Sequence, residues 1–251
     1  MENKSIVVIA DSHLGSDEKD LKVIIEFIQS LNPLKHKILL LGDLFYIWVE
    51  FPKYHTSNEK QLFSELSLFR RNGGSVFLTS GNRDFIFSDY YSNSYGDVLP
   101  FDMIKKGNLK LNFEDDLIFA QHGDMVNKSD KIYLIWRRIV KSYFVKYIFK
   151  IIPSFFGIKV IRFLEKKMNT ANSKKQKFFP EKHWTKFVKD VHNQCRPKIL
   201  LIGHFHPETP IVYNYNSTTG IVVPAWCSNY NYLVIDNNFK YSLRRFIPKV
   251  V

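Results

Sequence analysis

Residues 6–13 read IVVIADSH, an apolar run that is followed at once by Asp11, Ser12 and His13. A strand this apolar must be buried on both faces, as in a sheet that is covered on both sides. The same order of apolar run and polar cluster recurs at Gly42-Asp43, Gly81-Asn82-Arg83-Asp84, His122-Gly123-Asp124 and Gly203-His204-Phe205-His206. Because ligands of α/β sheets bind at the carboxyl ends of the strands, we expect the five clusters to meet in one site.

The order of predicted elements indicates an α/β fold. Strands at 6–10, 37–41 and 75–80 alternate with a helix that is capped by Ser16 or Asp17 and ends near 31, and with a helix at 58–71. From residue 109 the pattern changes to a hairpin, 109–113 and 117–120, and then to short strands near 199, 210, 221, 232 and 241. This order predicts two packed sheets flanked by helices.

Composition and charge suggest a core domain that carries an insertion. The chain has 251 residues, 45% of them hydrophobic, and a net charge of +12. Residues 131–189 hold 16 Lys and Arg against two acidic residues, whereas the rest of the chain holds 20 basic and 22 acidic residues. A near-neutral body with one basic segment predicts that the segment contacts something anionic. We therefore expect a core at 1–125 and 190–251 and a basic helical insertion at 126–189.

Cysteine usage and the N-terminus predict a cytoplasmic protein. Cys195 and Cys227 are the two cysteines of the sequence, and neither belongs to a CxxC pattern. Both are expected to be free structural thiols rather than a disulfide. Residues 1–9 show no secretory signal, since the first predicted strand begins almost at once.

The polar clusters contain the donor types of a metal site. Side chains two residues apart at a strand end share a face, as do Asp11 with His13 and His204 with His206. Asp43 offers two carboxylate oxygens that can bridge two cations, and Asn82 and His122 add an amide oxygen and an imidazole. Nitrogen and oxygen donors without thiolate suit Mn²⁺, Fe²⁺, Zn²⁺ or Mg²⁺, of which we expect Mn²⁺. Each cluster alone is commonplace, but the ordered series predicts a metal centre.

The series DxH, GD, GN, HGD and GHxH, spread over residues 6–206, resembles the calcineurin-like metallophosphoesterases. That family has a β-sandwich flanked by helices around a dinuclear metal centre. The resemblance implies that one ion is held by Asp11, His13, Asp43 and His206, and the other by Asp43, Asn82, His122 and His204. Two cations about 4 Å apart can lower the pKa of a shared water and stabilise both the entering and the leaving oxygen at phosphorus. The implied reaction is hydrolysis of a phosphoester or pyrophosphate.

Arg83 restricts the class of substrate that we expect. Many members of this superfamily have histidine at this position, directly after the asparagine. Arginine stays protonated and cannot act as a general acid at neutral pH, but its fork grips phosphate oxygens. The leaving group should then need no proton, as holds for a phosphate with a second pKa of about 6 but not for an alkoxide. This favours pyrophosphate cleavage over simple esters. The alternative is that Arg83 only pairs with Asp84.

The wider motifs are similar to those of the UDP-2,3-diacylglucosamine hydrolases of lipid A biosynthesis. They are LGDLF at 41–45 followed by Trp48, GNRDF at 81–85, and HGD at 122–124 with Asp130 after it. The resemblance implies a Mn²⁺-dependent hydrolysis that releases UMP and 2,3-diacylglucosamine 1-phosphate. It implies catalytic roles for Asp43, Asn82, Arg83 and His122, and substrate contacts for Asn82, Arg83, Asp130, Ser173, Lys174 and His204. Phe205 and Ser12 stand where Thr and Leu are more usual, and neither is an expected ligand.

The basic insertion is predicted to be a helical lid. A helix through 133–151 would carry one uncharged stripe, Tyr133, Trp136, Val140, Tyr143 or Phe144, Tyr147 and Ile151, with Arg137, Arg138, Lys141 and Lys150 mostly off it. Pro153 ends this helix, and a second one places Lys159, Arg162 and Lys166 on one edge. In the family such an insertion covers acyl chains and faces the membrane. The apolar stretches are too short and interrupted to span a bilayer.

Together these expectations predict an enzyme that is bound peripherally to the cytoplasmic face of the inner membrane. Its partners would be a lipid-linked nucleotide sugar and an anionic membrane surface, and no nucleic acid. The insertion has an alternative interpretation as an ordinary helical hairpin with a solvated basic side. Alternative functions are a metallophosphoesterase acting on nucleic acid or another nucleotide diphosphate, and a metal-free binding scaffold, which would have lost ligands.

Overall fold

Two β-sheets packed face to face form the centre of the protein. The computed structural model describes residues 4–15, 18–85, 100–175 and 179–249, with only the backbone of 166–175. Within these residues, the larger sheet contains, in order, β13 (Tyr241–Arg245), β12 (Asn231–Ile235), β1 (Ser5–Ile9), β2 (His36–Leu40), β4 (Ser75–Thr79) and β6 (Met103–Lys105). The second sheet contains β10 (Ile211–Tyr215), β11 (Thr218–Val222), β9 (Ile199–Ile202), β8 (Asp116–Ala120) and β7 (Leu109–Phe113).

Both faces of the first strand are buried, as its composition predicts. Ile6 and Val8 lie in the core between the sheets, while Val7 and Ile9 pack against helices on the outer face. This alternation follows from the pleat, which points successive side chains to opposite faces. Each such side chain stabilises the fold by about 1.5–3 kcal/mol when fully buried.

Helices cover the outer faces of both sheets. The helices α1 (Glu18–Ser30) and α2 (Ser57–Arg71) pack on the larger sheet, and α6 (Glu181–Cys195) packs on the smaller one. A short α7 (Trp226–Asn229) precedes β12. The predicted pair of sheets flanked by helices is therefore confirmed. The predicted caps Ser16 and Asp17 lie outside the described residues.

Several short elements were not predicted from the sequence pattern. Strands β3 (Trp48–Val49) and β5 (Asp84–Phe85) form a two-residue parallel pair beside the predicted ligands, and β6 and α7 are nearly as short. Elements of two to four residues carry no period that a sequence can show.

The insertion contains three helices, α3 (Lys131–Val140), α4 (Tyr143–Ile151) and α5 (Ser154–Lys175). The prediction of a single helix through 133–151 was wrong, because the helix is interrupted at Lys141 and Ser142. The Ser142 hydroxyl accepts a hydrogen bond from the Val145 amide and caps α4, a role that serine takes readily at a helix start. Pro153 separates α4 from α5 as predicted.

The second boundary of the insertion, predicted between 189 and 190, falls inside α6. Trp184 and Val191, on either side of that boundary, pack in one cluster with Leu200 and Ile202 of β9. We propose that the core domain resumes near the start of α6, at about residue 181. Among the described residues, no helix has the length and apolar character needed to cross a membrane. Both cysteines are free, as expected.

Candidate metal centre

The five polar clusters lie at the carboxyl ends of five strands. Asp11, Asp43 and Asn82 follow β1, β2 and β4, which are parallel neighbours in the larger sheet. His122 and His204 follow β8 and β9, which are parallel neighbours in the smaller sheet. The predicted convergence of the clusters is thus what the topology produces.

The first predicted ligand set is assembled. His206 Nε2 lies 3.2 Å from Asp11 Oδ1, and His13 Nε2 lies 3.3 Å from His206 Nε2. Ligand atoms of Asp11, His13 and Asp43 all lie within 4.8 Å of one another. Asp11 Oδ1 is buried and has no hydrogen-bond partner. A buried carboxylate oxygen without a hydrogen bond is costly unless a positive charge lies beside it, which here is either a protonated His206 or a metal ion.

The second set is equally close and centres on His122. Its Nε2 lies 3.1 Å from Asn82 Oδ1, 3.2 Å from His204 Nδ1 and 3.6 Å from Asp43 Oδ2. Two ligand atoms that share a metal at about 2.1 Å each are separated by about 3.0–3.4 Å. The distances of 3.1–3.3 Å in the two sets fall within the range expected of shared coordination, and the 3.6 Å distance between His122 Nε2 and Asp43 Oδ2 lies slightly above it.

Proton positions favour the same interpretation. His122 Nδ1 lies 2.8 Å from the Leu41 carbonyl oxygen, so this nitrogen donates and Nε2 is left with a lone pair in the neutral ring. That lone pair faces Asn82 Oδ1, which is also an acceptor. A proton on Nε2 could form a hydrogen bond to only one of the three nearby atoms, which are Asn82 Oδ1, His204 Nδ1 and Asp43 Oδ2. A divalent cation could bind all of them, so the donors fit the metal that the resemblance implies.

Backbone strain is concentrated at the predicted ligands. Among the described residues ten non-glycine residues have positive φ, and five of these are Asp11, His13, Asp43, His204 and His206. Such left-handed conformations cost of order 1–3 kcal/mol and persist where the surroundings fix them. These five residues therefore leave the strands in left-handed turns rather than in the extended backbone that the sequence analysis assumed.

Neighbouring backbone groups hold the carboxylates in place. Asp84 Oδ2 accepts hydrogen bonds of 2.8 Å from the amides of both Asp43 and Gly81, which ties the second cluster to the third. Asp11 Oδ2 accepts a 2.7 Å hydrogen bond from the His204 amide. Gly203 must lack a side chain, because a Cβ there would lie 2.5 Å from Asp11 Oδ2.

Burial and mutual charge shift the titration of these groups. Burial raises the pKa of Asp43 to about 7 and lowers the pKa of His204 to about 4. Burial alone would raise the pKa of Asp11, but His206 and His122 hold it below its ordinary value. Burial also opposes charge on His206, yet Asp11 raises its pKa to about 10. A divalent cation favours the deprotonated form of every donor and would lower each of these pKa values.

Arg83 lies beside the two ligand sets. Its Nε is 3.6 Å from Asp43 Oδ2, and its guanidinium lies 5.5 Å from the Tyr46 ring, which stacks on His13. Within the described part of the chain its ion pair is with Asp43 rather than with Asp84. Its Nη1 is buried without a hydrogen-bond partner. The guanidinium therefore retains a donor for an oxygen that the protein does not supply.

The insertion contacts the metal centre through α3. Asp124, of the fourth cluster, pairs with Arg137 and accepts a 2.7 Å hydrogen bond from the Tyr133 hydroxyl. Lys141 donates to the Gly81 carbonyl oxygen at 2.5 Å. Arg137 and Lys141, which were expected to lie mostly off the uncharged stripe, thus contact the residues beside the predicted ligands. Tyr133, Arg137 and Lys141 are spaced by four residues, a one-face signal that the sequence did contain.

The expected substrate contacts, Asp130, Ser173 and Lys174 included, all remain predictions. Asp130 caps α3, since its Oδ1 accepts a 3.0 Å hydrogen bond from the Tyr133 amide, and a substrate role is untested. The side chains of Ser173 and Lys174 lie outside the described residues.

Comparisons with known proteins identify the family of this chain. The family model described as calcineurin-like phosphoesterase matches residues 4–208. A protein of Wigglesworthia glossinidia brevipalpis is 26% identical over 96% of this chain and 94% of its own length. A protein of Histophilus somni (strain 2336) is 27% identical over 94% and 97% of the two chains, and one of Haemophilus influenzae (strain PittGG) is 25% identical over 88% and 90%. All three are named UDP-2,3-diacylglucosamine hydrolase.

Proposed function

This chain belongs to the calcineurin-like phosphoesterase family and is a hydrolase, and we propose that it cleaves the pyrophosphate bond of UDP-2,3-diacylglucosamine. The products would be UMP and 2,3-diacylglucosamine 1-phosphate, in lipid A biosynthesis. The observation that carries this proposal is Arg83, whose Nη1 is buried without a partner beside the two ligand sets. The names of the three relatives point to the same substrate.

We propose that two Mn²⁺ ions are held here, one by Asp11, His13, Asp43 and His206, the other by Asp43, Asn82, His122 and His204. Bound divalent ions would supply a more acidic water and would neutralise charge on the phosphate oxygens. Asp43 belongs to both sets and would fix their spacing. His122 would keep Nε2 free for its ligand role by donating from Nδ1 to the Leu41 carbonyl oxygen.

Arg83 would bind and orient the pyrophosphate. In the proposed reaction a water oxygen bonds to one phosphorus, and the bond from that phosphorus to the bridging oxygen breaks. The bridging oxygen leaves on the other phosphate, and the proton of the water passes to solvent. A phosphate leaving group has a second pKa of about 6, so it needs no general acid. Arg83 can stabilise its charge with two parallel hydrogen bonds.

A cleft between the insertion and the core supports a lipid substrate. Its volume is about 340 Å³, and it lies between α5 and the loop that follows His13. Ile158 and Ile161 line it from α5, and Leu14, Phe45 and Ile47 line it from the core. We propose that this cleft accepts acyl chain atoms of the substrate.

The outer surface of α3 to α5 supports a membrane partner. Of the 19 exposed large hydrophobic residues in the described chain, 12 lie between Ile132 and Phe163. Residues 131–164 contain no acidic residue. Among the residues of these helices whose side chains the structure describes, the exposed basic ones are Lys131, Arg138, Lys150, Lys159 and Arg162. We propose peripheral docking on the cytoplasmic face of the inner membrane, where each basic residue near anionic lipid contributes about 1 kcal/mol.

Replacing Phe155 and Phe156 together by serine should weaken vesicle binding. The two side chains are 59% and 55% exposed, so they are available to enter a bilayer surface. Loss of their apolar burial predicts at least about tenfold weaker binding to vesicles that contain anionic phospholipid, measured by co-sedimentation. Leu68→Ser, an exposed apolar change on α2, is the control and should bind as before. Unchanged binding of the double variant would favour the ordinary helical hairpin.

The function itself is tested with the purified protein and UDP-2,3-diacylglucosamine in the presence of Mn²⁺. We expect UMP as a product, and its formation should stop when a chelator is added. A single-stranded oligonucleotide and an unacylated UDP-sugar serve as parallel substrates. Absence of UMP from the lipid substrate would overturn the proposal, and cleavage of the oligonucleotide alone would support the nucleic-acid alternative. The scaffold alternative predicts no hydrolysis at all.

A further inference from the structure

Cys227 lies at the edge of the candidate metal centre and belongs to neither predicted ligand set. Its Sγ and ring nitrogens of His13 and His206 all lie within 4.8 Å of one another. The Cys227 amide donates a 3.3 Å hydrogen bond to the Asp11 carbonyl oxygen, and the preceding Trp226 amide donates to Ala10 at 2.7 Å. The start of α7 is therefore fixed to the residues that follow β1.

We propose that Cys227 is a thiolate ligand of the metal position formed by Asp11, His13 and His206. This inference rests on the metal centre of the proposed function. Besides the cysteine, an independent observation points to a ligand, since Asp11 Oδ1 is buried, lies 3.2 Å from His206 Nε2 and has no hydrogen-bond partner. On coordination the thiol loses its proton to solvent.

The distances allow this coordination with a small movement. Zinc binds sulfur at about 2.3 Å and imidazole nitrogen at about 2.0–2.1 Å, which puts tetrahedral nitrogen and sulfur ligands about 3.5 Å apart. The two imidazole nitrogens already lie 3.3 Å apart. Cys227 is exposed and has a single side-chain torsion, so its thiol is not enclosed in the core.

A thiolate changes which metal the first position prefers. The proposal of two Mn²⁺ ions rested on donors of nitrogen and oxygen alone, and with Cys227 as a ligand it holds only for the second position. Thiolate is a soft ligand that favours Zn²⁺ or Co²⁺ over Mn²⁺, whereas the set of Asp43, Asn82, His122 and His204 has no sulfur. The two positions should therefore differ, with the thiol-containing position selecting the softer ion.

Cobalt substitution tests the ligand without any substrate. The wild-type protein loaded with Co²⁺ should show visible d–d bands and a near-ultraviolet thiolate-to-cobalt charge-transfer band. Cys227→Ser should keep the d–d bands and lose the charge-transfer band. Cys195→Ser is the matched control, because Cys195 is the other cysteine and its Sγ donates to the Val191 carbonyl oxygen within α6, and it should behave as wild type.

The outcomes separate this inference from the proposed metal centre. A charge-transfer band that persists in Cys227→Ser, or is absent from the wild type while d–d bands are present, overturns the ligand but leaves the centre standing. Absence of d–d bands from the wild type overturns both. Equilibrium dialysis should show that Cys227→Ser lowers the preference for Zn²⁺ over Mn²⁺ by about tenfold or more. Cys227→His should restore that preference without restoring the charge-transfer band.

Discussion

Replacing Asp43 by asparagine is expected to lower kcat for phosphoester hydrolysis by at least about 10³-fold. Asp43 is the residue shared by the two ligand sets, and its Oδ2 lies 3.6 Å from both His122 Nε2 and Arg83 Nε. Asparagine has nearly the same size but carries no charge and only one acceptor oxygen, so it cannot bridge two cations. Metal ions contribute several kcal/mol of charge stabilisation, and about 4 kcal/mol corresponds to 10³ in rate.

The fold should survive this change. Asp43 Oδ1 accepts a 2.8 Å hydrogen bond from the Arg83 amide, and the carbonyl oxygen of asparagine can take the same place. Metal analysis after dialysis should show fewer bound ions per chain than in the wild type. Asp190→Asn on α6 removes an exposed carboxylate and should leave both the rate and the metal content unchanged. An Asp43→Asn variant that retained its rate would remove the bridging role from the proposal.

The sequence predicted which side chains come together in the candidate metal centre, because their positions follow from strand ends. An apolar run such as 6–10 can be recognised from composition, and the end of each run is where a buried sheet leaves room for polar groups. The side chains that point from these ends, Asp11, Asp43 and His122 among them, were therefore predictable one by one. Their proximity followed from the parallel order of the strands.

Other features of the site depend on backbone geometry and on packing that no local pattern records. The positive φ of five predicted ligands is set by turns of non-glycine residues, and Asp and His are compatible with many conformations. Asp84 receives two amides only because the second and third clusters meet in space. Cys227 reaches the centre through α7, about 20 residues after the last motif, so its place could not be read from spacing.

The insertion shows a second limit of prediction from the sequence, which concerns the orientation of its helices. A period of 3.6 residues correctly indicated helices, but it did not determine which face points inward. The sequence predicted Tyr133 on the uncharged stripe of the helix and Arg137 mostly off that stripe. Both contact Asp124, because burial of that carboxylate requires partners on α3. Tertiary charge pairing thus overrode the local pattern.

Replacing Arg83 by lysine is expected to lower kcat for pyrophosphate cleavage by about 10²-fold. Lysine keeps the positive charge but has no planar fork, so it cannot make two parallel hydrogen bonds to one phosphate. Charge-assisted hydrogen bonds contribute about 1.5–3 kcal/mol, and about 2.7 kcal/mol corresponds to 10² in rate. The metal content should stay at the wild-type level, because Arg83 is not a ligand. Arg244→Lys, an exposed change on β13, is the control.

Replacing Arg83 by histidine distinguishes phosphate binding from proton donation as the role of this position. A histidine there can act as a general acid, so activity on a diester with an alkoxide leaving group should rise relative to activity on the pyrophosphate. Both activities are measured with the same metal-loaded protein, and their ratio is the readout. If the lysine variant loses activity and metal together, Arg83 acts by holding Asp43 in place. If metal is kept and the ratio shifts only with histidine, the guanidinium selects a leaving group that departs without a proton.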